Sequence, residues 1–285
     1  MPGTAVRVGR RPRGFVGVRG PDAASYLQAM VSNDVQALGP GESCEALLLT
    51  AKGRVLAPMT VYRRGADDYV LLTERELADT LRAALMRSRF AAKVAIELEE
   101  HSSVLVVGRE TPPGGVANRE FGVAAYELID EETPAWGEIA DEELERLRIR
   151  AGIPRYGREL DERVLPAEAG LDRTAIDFEK GCYPGQEPVA RQHYRGRVNR
   201  TLRVLEIEGA ELPVYDAELE YEGKVVGRVT SSVGEGESVI GLAYVRAEVP
   251  RDAELRLGDR LVTQLDSADS RAGDSRENPR LREDP

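Results

Sequence analysis

The sequence is short of the residues that metals and disulfides require. Its 285 residues include only two cysteines, Cys44 and Cys182, and two histidines, His101 and His193. Two cysteines cannot build a disulfide framework, which suits a reducing compartment. They cannot supply the four thiolates that usually hold an iron–sulfur cluster, and so few histidines argue against a resident zinc site. Positive charge is also scarce. Thirty-nine Lys and Arg face 50 Asp and Glu, a net charge of −11, so the chain as a whole lacks the footprint of a nucleic-acid binder. No run approaches the roughly 20 apolar residues of a membrane helix. The opening residues, Met1 to Arg11, are basic but lack the apolar centre of a secretory signal, and a cytoplasmic setting is expected. Aromatics make up 5% of the chain, yet 41% hydrophobic and 31% charged residues describe a soluble globular protein. The length allows a sizeable core and two or three subdomains.

What is present is concentrated in one octet, Lys180-Gly181-Cys182-Tyr183-Pro184-Gly185-Gln186-Glu187. The glycines allow positive φ, so the chain can turn sharply around the thiol. Glu187 to Arg195 follow a helix-compatible pattern, with Pro188 tolerable only in a first turn. Cys182 is therefore expected in a tight loop feeding a helix start. Lys180 could favour its thiolate. The alternative is a small apolar residue packed in the interior.

The rest of the chain reads as α+β. Residues 14–19 alternate as a strand, and a helix follows from Asp22 to Val31 with Pro21 and Asp22 as start signals. Strands are expected at 46–49, 55–62 and 69–73, a helix at 74–89, and strands at 93–98 and 103–107. Strand–helix–strand rounds of this kind suggest sheets with helices packed on one face. The segment 112–134 is Gly-rich and reads as short strands and loops. Asp141 opens a helix whose first turns carry Glu142, Glu143 and Glu145, favourable near the positive helix end. From Thr201 onward, short alternating runs bounded by Gly, Pro, Asn or Asp suggest a small β-barrel. The expected organisation is a basic arm (1–13), a body (14–198), a barrel (199–265) and a polar, disordered tail (266–285).

The octet resembles the signature of the YgfZ-type folate-binding proteins, relatives of the glycine-cleavage T-protein (aminomethyltransferase) that act in iron–sulfur cluster assembly or repair. Other segments carry the same resemblance in the same order. They are Arg148 to Pro154 followed by Gly157-Arg158-Glu159-Leu160, then Leu165 to Leu171, then Ala175 to Phe178. Near the start, Val18 to Ala23 and Tyr26-Leu27-Gln28 look like the opening strand–turn–helix of that superfamily. The likeness runs from about Gly14 to about Val245 and implies a folate-binding body with an appended barrel.

The resemblance also implies a site. Cys182 and Lys180 would be the functional pair, and Tyr183, Gln186, Glu187 and Arg191 would lie toward tetrahydrofolate. Arg148 matches an arginine that the relatives turn toward the ligand's carboxylates, although it could equally cap its helix or pair with Glu145. Glu187 could meet the pterin edge or simply serve as a first-turn acid. Arg191, Arg195, Arg197 and Arg200 could attract a polyglutamate tail or form a solvated face. One departure bears on chemistry. Where T-proteins place their catalytic acid, this chain has Ala57 and Pro58, neither of which can take a proton. The expected function is therefore a tetrahydrofolate-binding accessory protein for iron–sulfur assembly or repair. It would carry no permanent metal, meet its client proteins transiently and act as a monomer, without nucleic acid or membrane. A folate-dependent one-carbon transferase is the alternative.

Overall fold

The computed structural model describes residues 5–196 and 198–266. Its first sheet runs in the order β3-β4-β5-β2-β6, all antiparallel. These strands are β2 (Arg13–Arg19), β3 (Ser43–Leu49), β4 (Val55–Gly65), β5 (Asp68–Glu74) and β6 (Ala95–Glu99). Both faces of this sheet are covered, and the period-2 alternation of its side chains divides them. Val16, Val18, Ala46, Leu48, Tyr69 and Leu71 pack under α1 (Ala23–Met30) and α2 (Ala78–Arg87). Leu47, Leu49 and Val55 point the other way, into a cluster with Ala175, Ile176, Tyr183 and Val189. That second face seats the cysteine octet.

The second sheet has the order β10-β1-β7-β9-β8. It is formed by β1 (Arg7–Arg10), β7 (Ser103–Val107), β8 (Val116–Ala117), β9 (Ala125–Ile129) and β10 (Gly137–Glu138). Here the expectation of a basic arm at 1–13 is corrected. Residues 7–10 form an interior strand, antiparallel to β7 and parallel to β10. Val8 is buried beside Val106 and Tyr126, while Arg7 pairs with Glu143 at 2.5 Å. The arginines gave the segment a solvent-facing look, but Arg7 and Arg10 stand at the two ends of the strand and flank the buried Val8.

Helix α3 (Asp141–Ala151) packs Leu144 onto this sheet with Leu105, Phe121 and Ile139. Gly152, at φ 76°, ends the helix in the left-handed conformation that glycine adopts without strain. Helix α4 (Gln186–Arg195) begins within the octet, at its last two residues, with Pro188 in its first turn.

A closed barrel in the order β11-β14-β13-β12-β15-β16 completes the chain. Its strands are β11 (Arg200–Glu208), β12 (Glu218–Tyr221), β13 (Lys224–Glu235), β14 (Ser238–Arg246), β15 (Leu255–Leu257) and β16 (Arg260–Leu265). Ile149 of α3 meets Val204, Val233, Ile240 and Leu242 of the barrel, forming an apolar seam between the two parts. The architecture is α+β with a C-terminal barrel. The expected disordered tail falls, apart from Asp266, outside the described residues.

Candidate functional site

Two regions carry chemistry, and they are separate. The first is the octet loop. Asp177 Oδ1 accepts from the backbone N–H groups of Glu179 and Lys180 (2.7 and 3.1 Å), turning the chain into the motif. Lys180 is buried, and its ammonium donates to the carbonyls of Gln28, Val31 and Asn33 at 2.7, 2.6 and 2.8 Å. All three of its N–H donors are thereby taken. Burial, opposed by Asp34 and Asp177, lowers its pKa to about 8. The expected pairing of Lys180 with the thiol is corrected: the ammonium points into the body and ties the loop to the end of α1.

Gly185 has φ 82°, and a Cβ there would collide with the carbonyl oxygen of Thr50. The loop therefore lies backbone to backbone on the turn between β3 and β4, an approach only glycine permits. Tyr183 fills the apolar cluster below, where burial raises its hydroxyl to about 12. Between these anchors Cys182 is exposed, as the loop-borne reading requires. Cys44 is half-buried, and desolvation, opposed by Lys180, pushes its thiol up to about 12. On α4, Glu187 and Arg191 form an exposed i,i+4 pair at 2.9 Å. Beside them the His193 ring stacks on Phe178 with centroids 3.9 Å apart, and Tyr194 stands edge-on to both and is 68% exposed.

The second region is a cleft of about 690 Å³ between body and barrel. Phe121, Leu212, Val214 and Tyr215 give it apolar walls, and Thr230, Ser231 and Ser232 of β13 give it hydroxyls. Arg10, Arg11, Arg155 and Arg158 line it as well. Arg158 lies over the Tyr215 ring at 5.7 Å. Arg155 pairs with Glu145 at 3.0 Å, while its Nε is buried with no partner among the described residues. Arg11 and Arg155 also line a smaller inner cavity of about 80 Å³, with Pro58, Met59 and Arg148.

Arg148 does not serve the cleft as expected. Its five N–H donors go to both oxygens of Glu145, to Glu159, to the Ile153 carbonyl and to Ser231 Oγ. No donor is left for a ligand carboxylate. The network bridges α3 to the barrel, which is the structural alternative the sequence left open. Burial raises the Glu145 carboxyl, but Arg148 and Arg155 outweigh it and hold it below its ordinary value. Ala57 is buried on the helix-covered face of the sheet, and Pro58 lines the inner cavity, its carbonyl accepting from Thr73 Oγ1 at 2.7 Å.

Cys182, Tyr183, Gln186, Glu187 and Arg191 thus cluster around the octet, and none lines the cleft or the inner cavity. One apolar layer separates loop and cavity, because Leu47 and Ala175 belong both to the cluster under Tyr183 and to the cavity wall. Sequence reasoning missed Arg10, Arg155, Tyr215 and the β13 hydroxyls. The available signal was the spacing of Arg155 and Arg158 around Tyr156-Gly157, a turn that places both on one side.

The first sheet and the connections leading to β7 match the GCVT N-terminal domain over residues 13–108. Across most of its length the chain is 28% identical to the tRNA-modifying protein YgfZ of Edwardsiella ictaluri, covering 88% of this chain and 87% of that protein. It is a YgfZ-type relative of the aminomethyltransferases. A mouse protein named as the mitochondrial iron–sulfur cluster assembly factor IBA57 is 27% identical, over 83% of this chain and 76% of its own. The fold is shared with the glycine cleavage system aminomethyltransferase T of Bartonella henselae. That structure superposes with a TM-score of 0.75 at 16% identity, covering 92% of this chain and 85% of its own. Among the described residues, no helix is long and apolar enough to cross a membrane.

Proposed function

We propose that this protein is a tetrahydrofolate-binding accessory factor for iron–sulfur cluster assembly or repair, acting in the cytoplasm with Cys182 as its functional thiol. The observation that carries this reading is the presentation of Cys182. Lys180, Tyr183 and Gly185 fix the loop on both sides, and Cys182 is left exposed between them with Gly181 and Pro184. A residue kept for packing would not be held outward by three anchors. Two cysteines cannot complete a cluster within the chain, so exchange with a client protein is the chemistry that a single accessible thiol suits.

The cleft fits tetrahydrofolate. Its volume falls within the usual range for small-molecule sites, apolar walls with a few convergent polar groups. Phe121, Leu212, Val214 and Tyr215 would hold the flat rings, and Ser231, Ser232 and Thr230 would meet polar ring atoms. Arg158 and the partnerless Nε of Arg155 would take the carboxylates, as guanidinium groups do. When bound, the folate would supply a carrier of one-carbon units. These residues would bind and orient it, and the inner cavity, which shares Arg11 and Arg155 with the cleft, lies between it and the apolar layer under the thiol loop.

Calorimetry with tetrahydrofolate tests the ligand half of this proposal. The wild type should bind, Arg158→Gln should bind about tenfold more weakly, a loss of roughly 1.4 kcal/mol, and Cys182→Ala should bind as the wild type does. Absence of binding, or an undiminished affinity in Arg158→Gln, would overturn the placement in the cleft.

A further inference from the structure

A third cavity lies on the seam between the body and the barrel, apart from both regions above. It encloses about 120 Å³, and Arg173, Arg203 and Arg251 line it together with Glu168, Thr174 and Thr201. Arg203 is the unusual member. It is 4% exposed, and three of its five N–H donors meet only neutral acceptors, namely Thr201 Oγ1, Gln264 Oε1 and the Arg246 carbonyl. Among the described residues no carboxylate is bonded to it. Buried guanidinium groups are ordinarily paired with an acid, because an isolated charge out of water is unfavourable. Elsewhere in this chain that rule holds: Arg13 is paired with Glu127, and Arg148 with Glu159.

Here the surroundings add positive charge. Burial and the neighbouring Arg251 lower Arg203 to about 10. Arg251 and Arg173 are exposed, and no carboxylate among the described residues is bonded to either. The acid in the cavity, Glu168, is already engaged by Arg200 at 3.2 Å and by the Leu165 N–H at 3.3 Å. Three arginines therefore converge on one partly open hollow, whose carboxylate Glu168 is already paired with Arg200. Two donors of Arg203 are left over, as are the full forks of Arg173 and Arg251.

We infer that this cavity is a binding site for a tetrahedral oxyanion, a free phosphate or sulfate, held between Arg173, Arg203 and Arg251. The volume is several times what a single water needs, about 10–15 Å³, and gives room for such an ion. Guanidinium forks match phosphate oxygens in pairs, and the threonine hydroxyls on the wall can donate to those that remain. An anion there would neutralise the seam and bind the barrel's first strand to the 167–174 segment of the body. The site is independent of the folate cleft, with which it shares no lining residue.

The test is calorimetry of the full chain with inorganic phosphate and with sulfate at constant ionic strength, alongside thermal melts in phosphate against chloride. Both oxyanions should bind saturably, and phosphate should raise the melting midpoint where chloride does not. Arg173→Gln and Arg251→Gln alter exposed positions and should fold normally, each weakening phosphate at least tenfold while leaving tetrahydrofolate affinity unchanged. Arg158→Gln should leave phosphate binding intact. Phenyl phosphate, whose ring exceeds the hollow, should bind at least tenfold more weakly than phosphate. The site is refuted if phosphate and chloride act alike, or if both glutamine variants bind phosphate as the wild type does. Equal binding of phenyl phosphate would overturn the assignment to a free anion.

Discussion

Cys182 and Cys44 differ in access to solvent, and burial acts on the Cys44 thiol as well. One is exposed on a fixed loop, and the other is half-buried with its thiol pushed up to about 12. Thiolate fraction and access together set alkylation rates. Iodoacetamide should accordingly label Cys182 at least tenfold faster than Cys44 in the folded protein at neutral pH, by peptide mass mapping; equal slow labelling would contradict the exposed-thiol account. The octet's position at a loop before a helix was legible because two glycines and Pro188 are backbone signals that act locally. The role of Lys180 was not. Its three acceptors lie about 150 positions earlier in the chain, and no local pattern reveals them. For Arg148 the pairing with Glu145 was legible as one alternative, whereas the bond to Ser231, which arrives from the barrel, was not.

Among the elements, the junction between β2, β5 and the 118–127 segment is held by charge. Arg11 pairs with Glu74 and Glu120, and Arg13 with Glu120 and Glu127. Burial would raise the Glu120 carboxyl, but Arg13 and Arg11 overcome it and lower its pKa from an ordinary 4.5 to about 2. The folded state therefore binds fewer protons than the unfolded chain between those values. Its contribution is fully present above pH 4.5 and lost as pH falls toward 2, an upper figure of roughly 3 kcal/mol at about 1.4 kcal/mol per unit. Glu120→Gln should lower stability at pH 7 by about 2–3 kcal/mol and flatten the slope between pH 4.5 and 2 in urea denaturation. An unchanged slope would show that Glu120 is not ionised by these arginines. Helices and strands such as α3 and β7 were readable from periodicity and first-turn acids. Strand β1 was not, because it is short, arginines stand at both its ends, and their partners, such as Glu143, come from elsewhere in the sequence.

At the scale of the whole molecule, the barrel is joined to the body by the Ile149 seam and by the Arg148–Glu159–Ser231 network, with Tyr244 Oη donating to the Glu159 carbonyl at 2.9 Å. Removing one partner of a buried, hydrogen-bonded pair leaves an uncompensated charge, which costs about 3–5 kcal/mol. Arg148→Met should be destabilised by about that amount in chemical denaturation. If Arg148 were instead a ligand contact, the variant would lose tetrahydrofolate affinity while keeping its stability. The barrel itself could be read from evenly spaced short strands, whereas the cleft could not, since its walls come from residues 10–12, 121, 141–158 and 212–232. The central claim is that an outward-held thiol on a folate-binding body serves iron–sulfur clusters. Its most direct test is the activity of an iron–sulfur enzyme in cells deleted for this protein and complemented with wild type or Cys182→Ala. The account predicts that deletion lowers the activity, that wild type restores it, and that Cys182→Ala does not. Full activity without the protein, or equal rescue by Cys182→Ala, would contradict it.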